Sequence, residues 1–213
     1  IARDNWSVAE CLPVFGLMFF PADCDYADMI RQSTRAACID CGIDSGTVRA
    51  ENLVSTEDGT RFTLIIPDFC RETVELPVHG RHMVCNALLA AAAGWVAGLA
   101  KEQIVSGLNE AKLTGGRLHC KQSDGILVID DTYNANPQSM RAAAAVLGDA
   151  KDRRKVAIVG DMLELGPSSD LFHRAVGQSF GEMGTDCLIA VGELARYLAE
   201  GAREAGMGQV YRF

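Results

Sequence analysis

The stretch "GILVIDDTYNANPQSM" (125–140) joins a short apolar run to a polar loop and then to the start of a helix. A continuous apolar run of this length predicts a buried parallel strand. Asn136 followed by Pro137 predicts a helix start, because asparagine is a favoured N-cap and proline suits the first helical turn. In open α/β sheets, ligands bind beyond the carboxyl ends of the strands, so the polar loop is a candidate site.

The chain after residue 125 continues as alternating strand and helix patterns. Further strands are predicted in "KVAIVG" (155–160), "DCLIAVG" (186–192) and "QVYRF" (209–213). Helical spacing occurs in "PQSMRAAAAVLGDA" (137–150), "SSDLFHRAVGQSFGEMG" (168–184) and "ELARYLAEGAREAG" (193–206). With right-handed crossovers, this alternation predicts an open, doubly wound, Rossmann-like α/β sheet.

The first half of the chain has a different pattern. Residues 47–78 alternate apolar and polar side chains around the turn signals "EDGT" and "PDFCRE", which predicts an antiparallel meander. A helix is predicted at roughly 82–98 and a shorter one from about Lys101. The segment "LTGGRL" (113–118) is the best linker candidate. We therefore expect two domains, 1–112 and 113–213.

Composition and charge exclude several functions. The 213 residues carry a net charge of −8 with scattered basic residues, so we expect no nucleic-acid partner. The longest apolar run, residues 87–100, is too short to span a bilayer, so we expect no membrane insertion. Eight cysteines include the pair Cys38 and Cys41, but zinc needs a second such pair. We predict free or buried thiols in a reducing compartment.

Polar residues close each predicted parallel strand and should meet at one edge of the sheet. Asp131, Tyr133 and Asn134 exceed what a helix start needs, since one cap suffices. Asn136 could be either a cap or a ligand-binding residue. We therefore expect a binding cleft at this edge.

A second polar loop, "VGDMLELGPSSDLFH" (159–173), carries acidic side chains. Asp161 and Glu164 could hold a metal-bound water or accept hydrogen bonds from an ammonium group. Helix capping by Ser168, Ser169 and Asp170 is the alternative for those three residues. Capping explains neither Asp161 nor Glu164.

Four motifs together resemble the Mur ligase family. They are, in order, "GRHMVCNALLAAAA" (80–93), "GGRL" (115–118), "IDDTYNANPQSM" (129–140) and "VGDMLELG" (159–166). The resemblance implies a central ATP-binding domain followed by a Rossmann-like ligase domain. It also implies a cytoplasmic, ATP- and Mg²⁺-dependent amide ligase of peptidoglycan synthesis. Its substrates would be UDP-N-acetylmuramoyl-tripeptide and D-alanyl-D-alanine, joined through an acyl phosphate.

The resemblance also implies roles for individual residues. The nucleotide would be bound by His82, Asn86, Arg117 and Asp131. The cleft that closes over the nucleotide and the incoming dipeptide would be lined by Tyr133, Asn134 and Asn136. Asp161 and Glu164 join these as candidate substrate-binding residues.

Several features depart from the family pattern. No "GxxxxGK[ST]" phosphate loop occurs in the sequence. Asn5 aligns with the family's modified lysine, and Met83 stands where the family has asparagine. Residues 4–21 resemble the family least, from drift or a compensated frameshift. The family's UDP-sugar-binding domain and its later "KGS" loop are also absent from these residues.

We therefore expect a fragment that is inactive alone and needs the missing domains as partners. One alternative is a degenerate, non-catalytic module that binds nucleotide or dipeptide. Another is a sibling Mur ligase that acts on a different amino acid.

Overall fold

The computed structural model describes the backbone of residues 2–56, 58–112, 116, 118–150 and 152–213, with side chains from Ser7 onward. The chain divides into two compact units, residues 1–112 and 113–213.

The first unit contains four helices and a five-stranded sheet. The helices are α1 (Ala2–Cys11), α2 (Ala27–Ser33), α3 (Arg81–Val96) and α4 (Lys101–Asn109). The strands are β1 (Leu17–Pro21), β2 (Ala37–Ile43), β3 (Val48–Ser55), β4 (Thr60–Ile66) and β5 (Cys70–Leu76). The strand order follows the chain, with β1, β2 and β3 parallel and β3, β4 and β5 antiparallel.

The predicted antiparallel meander is confirmed as β3, β4 and β5. Its inner face alternates along β4, where Phe62, Leu64 and Ile66 are buried. Val84 and Leu88 of α3 are also fully buried and contribute to the core of this unit. The helices predicted near 82–98 and from Lys101 are confirmed as α3 and α4.

The eight cysteines are all free thiols, as predicted. Cys38 and Cys41 both lie on β2, and side chains three residues apart on a strand point to opposite faces. They cannot act as a pair. Burial raises the pKa of Cys41 to about 12, with smaller contributions from the charges of Asp40 and Cys85. This thiol is therefore unreactive at neutral pH.

The second unit contains three helices and five strands. The strands are β6 (His119–Ser123), β7 (Ile126–Asp130), β8 (Val156–Val159), β9 (Cys187–Ala190) and β10 (Gln209–Arg212). The helices are α5 (Pro137–Asp149), α6 (Ser169–Glu182) and α7 (Ala195–Glu204), with a single 3₁₀ turn at Gly166–Ser168. All three predicted helices are confirmed.

The parallel sheet has the strand order β10, β9, β8. Ala157 and Val159 of β8 point to one face and join a buried cluster with residues of α6 and α7. Helix α5 packs against α6. The alternate β8 residues, Val156 and Ile158, are exposed on the opposite face.

The strand at 125–130 differs from the prediction of a buried parallel strand. β7 pairs antiparallel with β6 in a separate two-stranded sheet, and Ile126 is 65% exposed. Asp124 and Gly125, both with positive φ, form the two-residue turn between them. An Asp-Gly pair before an apolar run is a strong hairpin signal, so local pairing with β6 replaced the predicted pairing. The described residues show no ladder between β7 and β8.

The α/β class predicted from sequence is confirmed for both units. No helix in the described part of the chain is long and apolar enough to cross a membrane. The predicted linker, 113–118, falls largely outside the described residues.

Candidate functional site

The loop between β7 and α5, residues 130–136, begins with a tight local turn. Asp130 Oδ1 accepts hydrogen bonds from the Thr132 hydroxyl at 2.7 Å and from its backbone N–H at 3.2 Å. These two bonds lower the pKa of the Asp130 carboxyl, with the hydroxyl contributing most. Asp130 therefore stays ionised as it shapes the loop.

The middle of this loop runs beside the segment that precedes β6. Asp131 Oδ1 accepts a hydrogen bond from the Leu118 N–H at 3.1 Å, and the Tyr133 N–H donates to the Gly116 carbonyl at 2.9 Å. Gly116 has φ of +75°, and a Cβ there would lie 3.1 Å from the Tyr133 nitrogen. Asp131 thus has one structural bond, whereas the residue Tyr133 is 62% exposed. Arg117, a predicted nucleotide-binding residue, lies outside the described residues.

The end of the loop is a helix cap. Asn136 Oδ1 accepts from the backbone N–H groups of Gln138 at 3.0 Å and Ser139 at 2.9 Å. The Asn136 N–H donates in return to the Ser139 hydroxyl. This reciprocal capping box supplies the structural role that the sequence left open for Asn136. Asn134 is exposed, and its side-chain oxygen accepts from the Ala135 N–H.

The loop after β8 is held by a carboxylate that reaches another helix. Asp161 Oδ1 accepts a hydrogen bond from the Ala195 N–H, at the first residue of α7, at 2.6 Å. A Cβ on Gly192 would lie 2.4 Å from the same oxygen, so this passage requires glycine. The sequence offered no capping role for Asp161, and the structure supplies one. Its partner is 34 residues away.

The next residue of this loop is fixed by a buried histidine. The Met162 N–H donates to Nε2 of His173 at 2.9 Å, and Nδ1 of His173 lies 2.7 Å from the Ser169 carbonyl oxygen. Both Met162 and His173 are fully buried. Sequence reasoning missed His173, because a lone histidine on a helix gives no signal of its partner.

The tip of the same loop faces outward. Leu163 is 70% exposed, and Glu164, also exposed, has φ of +61°. Of the residues for which helix capping was the alternative, Ser168 is the N-cap of α6 but makes no side-chain cap bond in the described structure, and Asp170 lies in the first turn of that helix. Ser169 faces His173 through its carbonyl oxygen and its hydroxyl. Glu164 therefore remains the acidic side chain that the tip presents.

Both loops rest on the same hydrophobic cluster of the second unit. Ala135 from the first loop and Leu165 from the second pack against it, and Met162 belongs to it. The cluster therefore supports the polar residues Asp131–Asn136 and Asp161–Glu164 on one body.

In the first unit, the predicted residues His82 and Asn86 lie one turn apart on α3 and share a face. Asn86 is exposed and its amide donates to the Met83 sulfur at 3.8 Å. His82 is half-buried. Burial raises the pKa of the nearby Cys85 thiol, and the charge of Asp23 raises it further. The start of α3 therefore sits beside an acidic group.

A groove of about 550 Å³ also lies in the first unit, along β5 and α4. Lys101 donates to Glu72 across it at 2.6 Å. None of the predicted site residues lines this groove.

The described side chains contain no group of three or more His, Cys, Asp or Glu residues that lie together. The Mg²⁺ that the family resemblance implies would therefore not be held by such a cluster in this part of the chain, and one or two carboxylates with substrate phosphates would have to hold it.

The two units match two domains of one enzyme family. Residues 1–94 match the Mur ligase middle domain, and residues 116–213 match the Mur ligase, glutamate ligase domain. The middle-domain match begins at residue 1, so it includes the segment 4–21 that resembled the family least. The chain belongs to the Mur ligase family.

Within the family, the chain is similar to UDP-N-acetylmuramoyl-tripeptide–D-alanyl-D-alanine ligases. It is 36% identical over 154 residues to that of Bacillus subtilis and 41% identical over 145 residues to that of Escherichia coli. These alignments cover 71% and 68% of this chain. They cover 33% and 32% of the relatives, so the chain spans about a third of their length.

A solved structure gives the same picture. The crystal structure of MurF from Acinetobacter baumannii matches all of this chain and 45% of its own, with a TM-score of 0.90 and 34% identity.

Proposed function

We propose that this chain is part of an ATP-dependent ligase that adds D-alanyl-D-alanine to UDP-N-acetylmuramoyl-tripeptide in peptidoglycan synthesis. The observation that carries the proposal is the similarity of both units, in order, to enzymes named for that activity. The alignments cover about a third of those relatives' length, so the activity would belong to a longer protein.

The two units would divide the work. Residues 1–112 would be the remainder of the central ATP-binding domain, and residues 113–213 a truncated Rossmann-like ligase domain. His82 and Asn86, which share a face of α3, would lie near the adenine. Asp131 and Arg117 would hold the ribose and phosphate region.

The reaction that the family resemblance implies has two steps. A carboxylate oxygen of the tripeptide attacks the γ-phosphorus of ATP, which forms an acyl phosphate and releases ADP. The amine of D-alanyl-D-alanine then attacks the acyl carbon, giving a tetrahedral intermediate. The intermediate expels phosphate, and an amide bond remains after the nitrogen loses its proton.

The residues on the two loops of the second unit would bind and orient the dipeptide. Tyr133 and Glu164 are exposed, and Asn134 and Asn136 lie on the same loop as Tyr133. A carboxylate such as Glu164 can accept hydrogen bonds from the ammonium group. Asp161 would support the loop without contacting the dipeptide through Oδ1, because that oxygen accepts a hydrogen bond from α7.

Two requirements of the chemistry would be met outside these residues. The sequence has no phosphate loop, and the described side chains hold no cluster of three or more metal-ligating residues. We therefore assign no catalytic step to this chain alone, and we expect the missing domains to be its functional partners. By its resemblance to the family, such an enzyme would work in the cytoplasm.

A chimera tests the proposal. This chain would replace the matching segment of the Escherichia coli ligase, which supplies the rest of the enzyme. We expect amide formation that depends on ATP and on D-alanyl-D-alanine. The matched variant is the same chimera carrying Glu164→Ala. We expect this variant to have a higher KM for the dipeptide.

The other outcomes separate the alternatives. Ligation of a single amino acid in place of the dipeptide would indicate a sibling ligase. A folded chimera without ligation, whose chain still binds nucleotide or dipeptide, would indicate a non-catalytic module.

A further inference from the structure

The buried ring of His173 lies between two backbone groups of fixed polarity. Nδ1 lies 2.7 Å from the Ser169 carbonyl oxygen, which can only accept a hydrogen bond, and 3.3 Å from the Ser169 hydroxyl, which can donate or accept. Nε2 lies 2.9 Å from the Met162 nitrogen, whose N–H can only donate. The ring is fully buried, so water does not compete for either nitrogen.

These two partners define one protonation state. Nδ1 must carry the proton to donate to Ser169, and Nε2 must be unprotonated to accept from Met162. In the other neutral tautomer, Nδ1 would face the Ser169 carbonyl oxygen as a second acceptor and could accept only from the more distant Ser169 hydroxyl, while two donors would meet at Nε2. A doubly protonated ring would set two N–H groups against each other at Nε2.

The bond to Met162 determines which way the loop faces. Met162 is fully buried, and Asp161 before it is bonded to the Ala195 N–H. Two successive residues are therefore held inward, by partners on two different helices. The next two, Leu163 and Glu164, are exposed, with Glu164 in a left-handed conformation.

We infer that His173 is a positioning residue that holds the loop 160–166 so that Leu163 and Glu164 are presented to the dipeptide substrate. For the identity of the ligand, this inference rests on the function proposed above. The apolar Leu163 side chain suits the methyl groups of D-alanyl-D-alanine, and the Glu164 carboxylate suits its ammonium group. His173 touches neither the ligand nor the reacting atoms.

The first test uses the unaltered 213-residue chain. Nitrogen-15 chemical shifts of the His173 ring at neutral pH should show a protonated Nδ1 and an unprotonated Nε2, with a coupling across the Met162 hydrogen bond. A protonated Nε2, in either the other tautomer or the cation, would overturn the inference. This measurement requires no variant to fold.

The second test compares two substitutions. Gln in His173→Gln places an oxygen near the Nε2 position and can still accept from Met162, whereas His173→Phe cannot. We expect the hydrogen-exchange rate of the Met162 amide to rise about tenfold in H173F, because one hydrogen bond is lost. In H173Q the rate should stay within about threefold of the parent. The Phe180 amide on α6 is the internal control. Equal exchange at Met162 in the two variants would refute the inference.

The third test separates the positioning role from the ligand. D-alanyl-D-alanine added to the parent chain and to H173Q should shift the Glu164 amide resonance, and H173F should bind at least about fivefold more weakly. Equal binding by H173F and the parent would contradict the positioning role. If the parent binds no dipeptide, the proposed ligand is wrong, and the ring and exchange measurements still decide whether His173 holds the loop.

Discussion

The two polar loops of the second unit follow strands of similar length but are held in different ways. The loop at 130–136 is held by bonds between near neighbours, such as those from Thr132 to Asp130 and from Ser139 to Asn136, and by bonds to Leu118 and Gly116 in the segment before β6. The loop at 160–166 is held by Ala195, 34 residues from Asp161, and by His173, 11 residues from Met162. The first loop adds the partly buried Ala135 to the hydrophobic cluster, whereas the second loop adds the fully buried Met162, whose N–H is bonded to the buried His173.

The largest expected effect comes from Gly192→Ala, which would break the second loop's anchor. Its Cβ would lie 2.4 Å from Asp161 Oδ1 at a φ of +124°. Backbone strain and the steric clash should together lower the free energy of unfolding by about 3 kcal/mol. Urea unfolding followed by circular dichroism measures this loss.

The matched control is Gly206→Ala, which also has positive φ but no atom within 4 Å of the added Cβ. Backbone strain alone should lower the free energy of unfolding of this variant by about 1 kcal/mol. Equal losses for the two variants would mean that Asp161 is not held where the structure has it.

Removal of the Asp161 carboxylate tests the same anchor from the other side. Asp161→Ala leaves the Ala195 N–H without its charged acceptor and should lower the free energy of unfolding by about 2 kcal/mol. Asp161→Asn should lower it by about 1 kcal/mol. Asp131→Ala in the first loop, with its single 3.1 Å bond, should cost less than about 1 kcal/mol. The order of the three unfolding free energies checks the comparison, and a larger loss at Asp131 would reverse it.

The cap at the end of the first loop should give a local effect. Asn136→Ala removes the acceptor for two N–H groups of α5 and should lower the free energy of unfolding by about 1 kcal/mol. Asn136→Ser keeps a capping oxygen, so its free energy of unfolding should be close to that of the parent chain. Amide exchange should rise at Gln138 and Ser139 in N136A but not at Met162. A rise at Met162 would show that the two loops are coupled.

The smallest effect is electrostatic. The Thr132 hydroxyl lowers the pKa of Asp130, so Thr132→Val should raise that pKa toward the usual 3.8. A depressed carboxyl pKa contributes stability above pH 3.8 that is lost as the pH falls below it. The titration of the Asp130 carboxyl by NMR measures the change.

Asp40 serves as the reference in the same spectra. Burial would raise its pKa, but hydrogen bonds from Thr47 and Arg31 outweigh burial and lower it. Its titration should not change in T132V. An unchanged Asp130 pKa in that variant would contradict the turn geometry.

The features predicted well from sequence are those set by neighbouring residues. The meander at 47–78 and the cap at Asn136 each depend on alternation, turns or capping within a few positions. The hairpin at Asp124 and Gly125 belongs to this class too, yet the apolar run of β7 by itself predicts a parallel strand. Its strongest signal was the turn before it.

The features that the sequence could not supply depend on distant contacts. Nothing near Asp161 indicates that its partner is the backbone of Ala195, and nothing near His173 indicates Met162. Periodicity reports which face of an element is apolar, but not which element it meets. The sequence singles out Asp161 and Glu164 of the second loop, but their division into anchor and tip required the structure.

The most direct test of this account is a titration of the nitrogen-15-labelled chain with D-alanyl-D-alanine, with L-alanyl-L-alanine as the control. We predict shifts of backbone resonances at Tyr133–Asn136 and at Leu163–Glu164 with the D-dipeptide, and a weaker response to the L-dipeptide. The Asp161 and Met162 amides should move little, because their loop is already fixed. Equal responses to both dipeptides, or shifts confined to other parts of the chain, would contradict the assignment of these two loops to the dipeptide site.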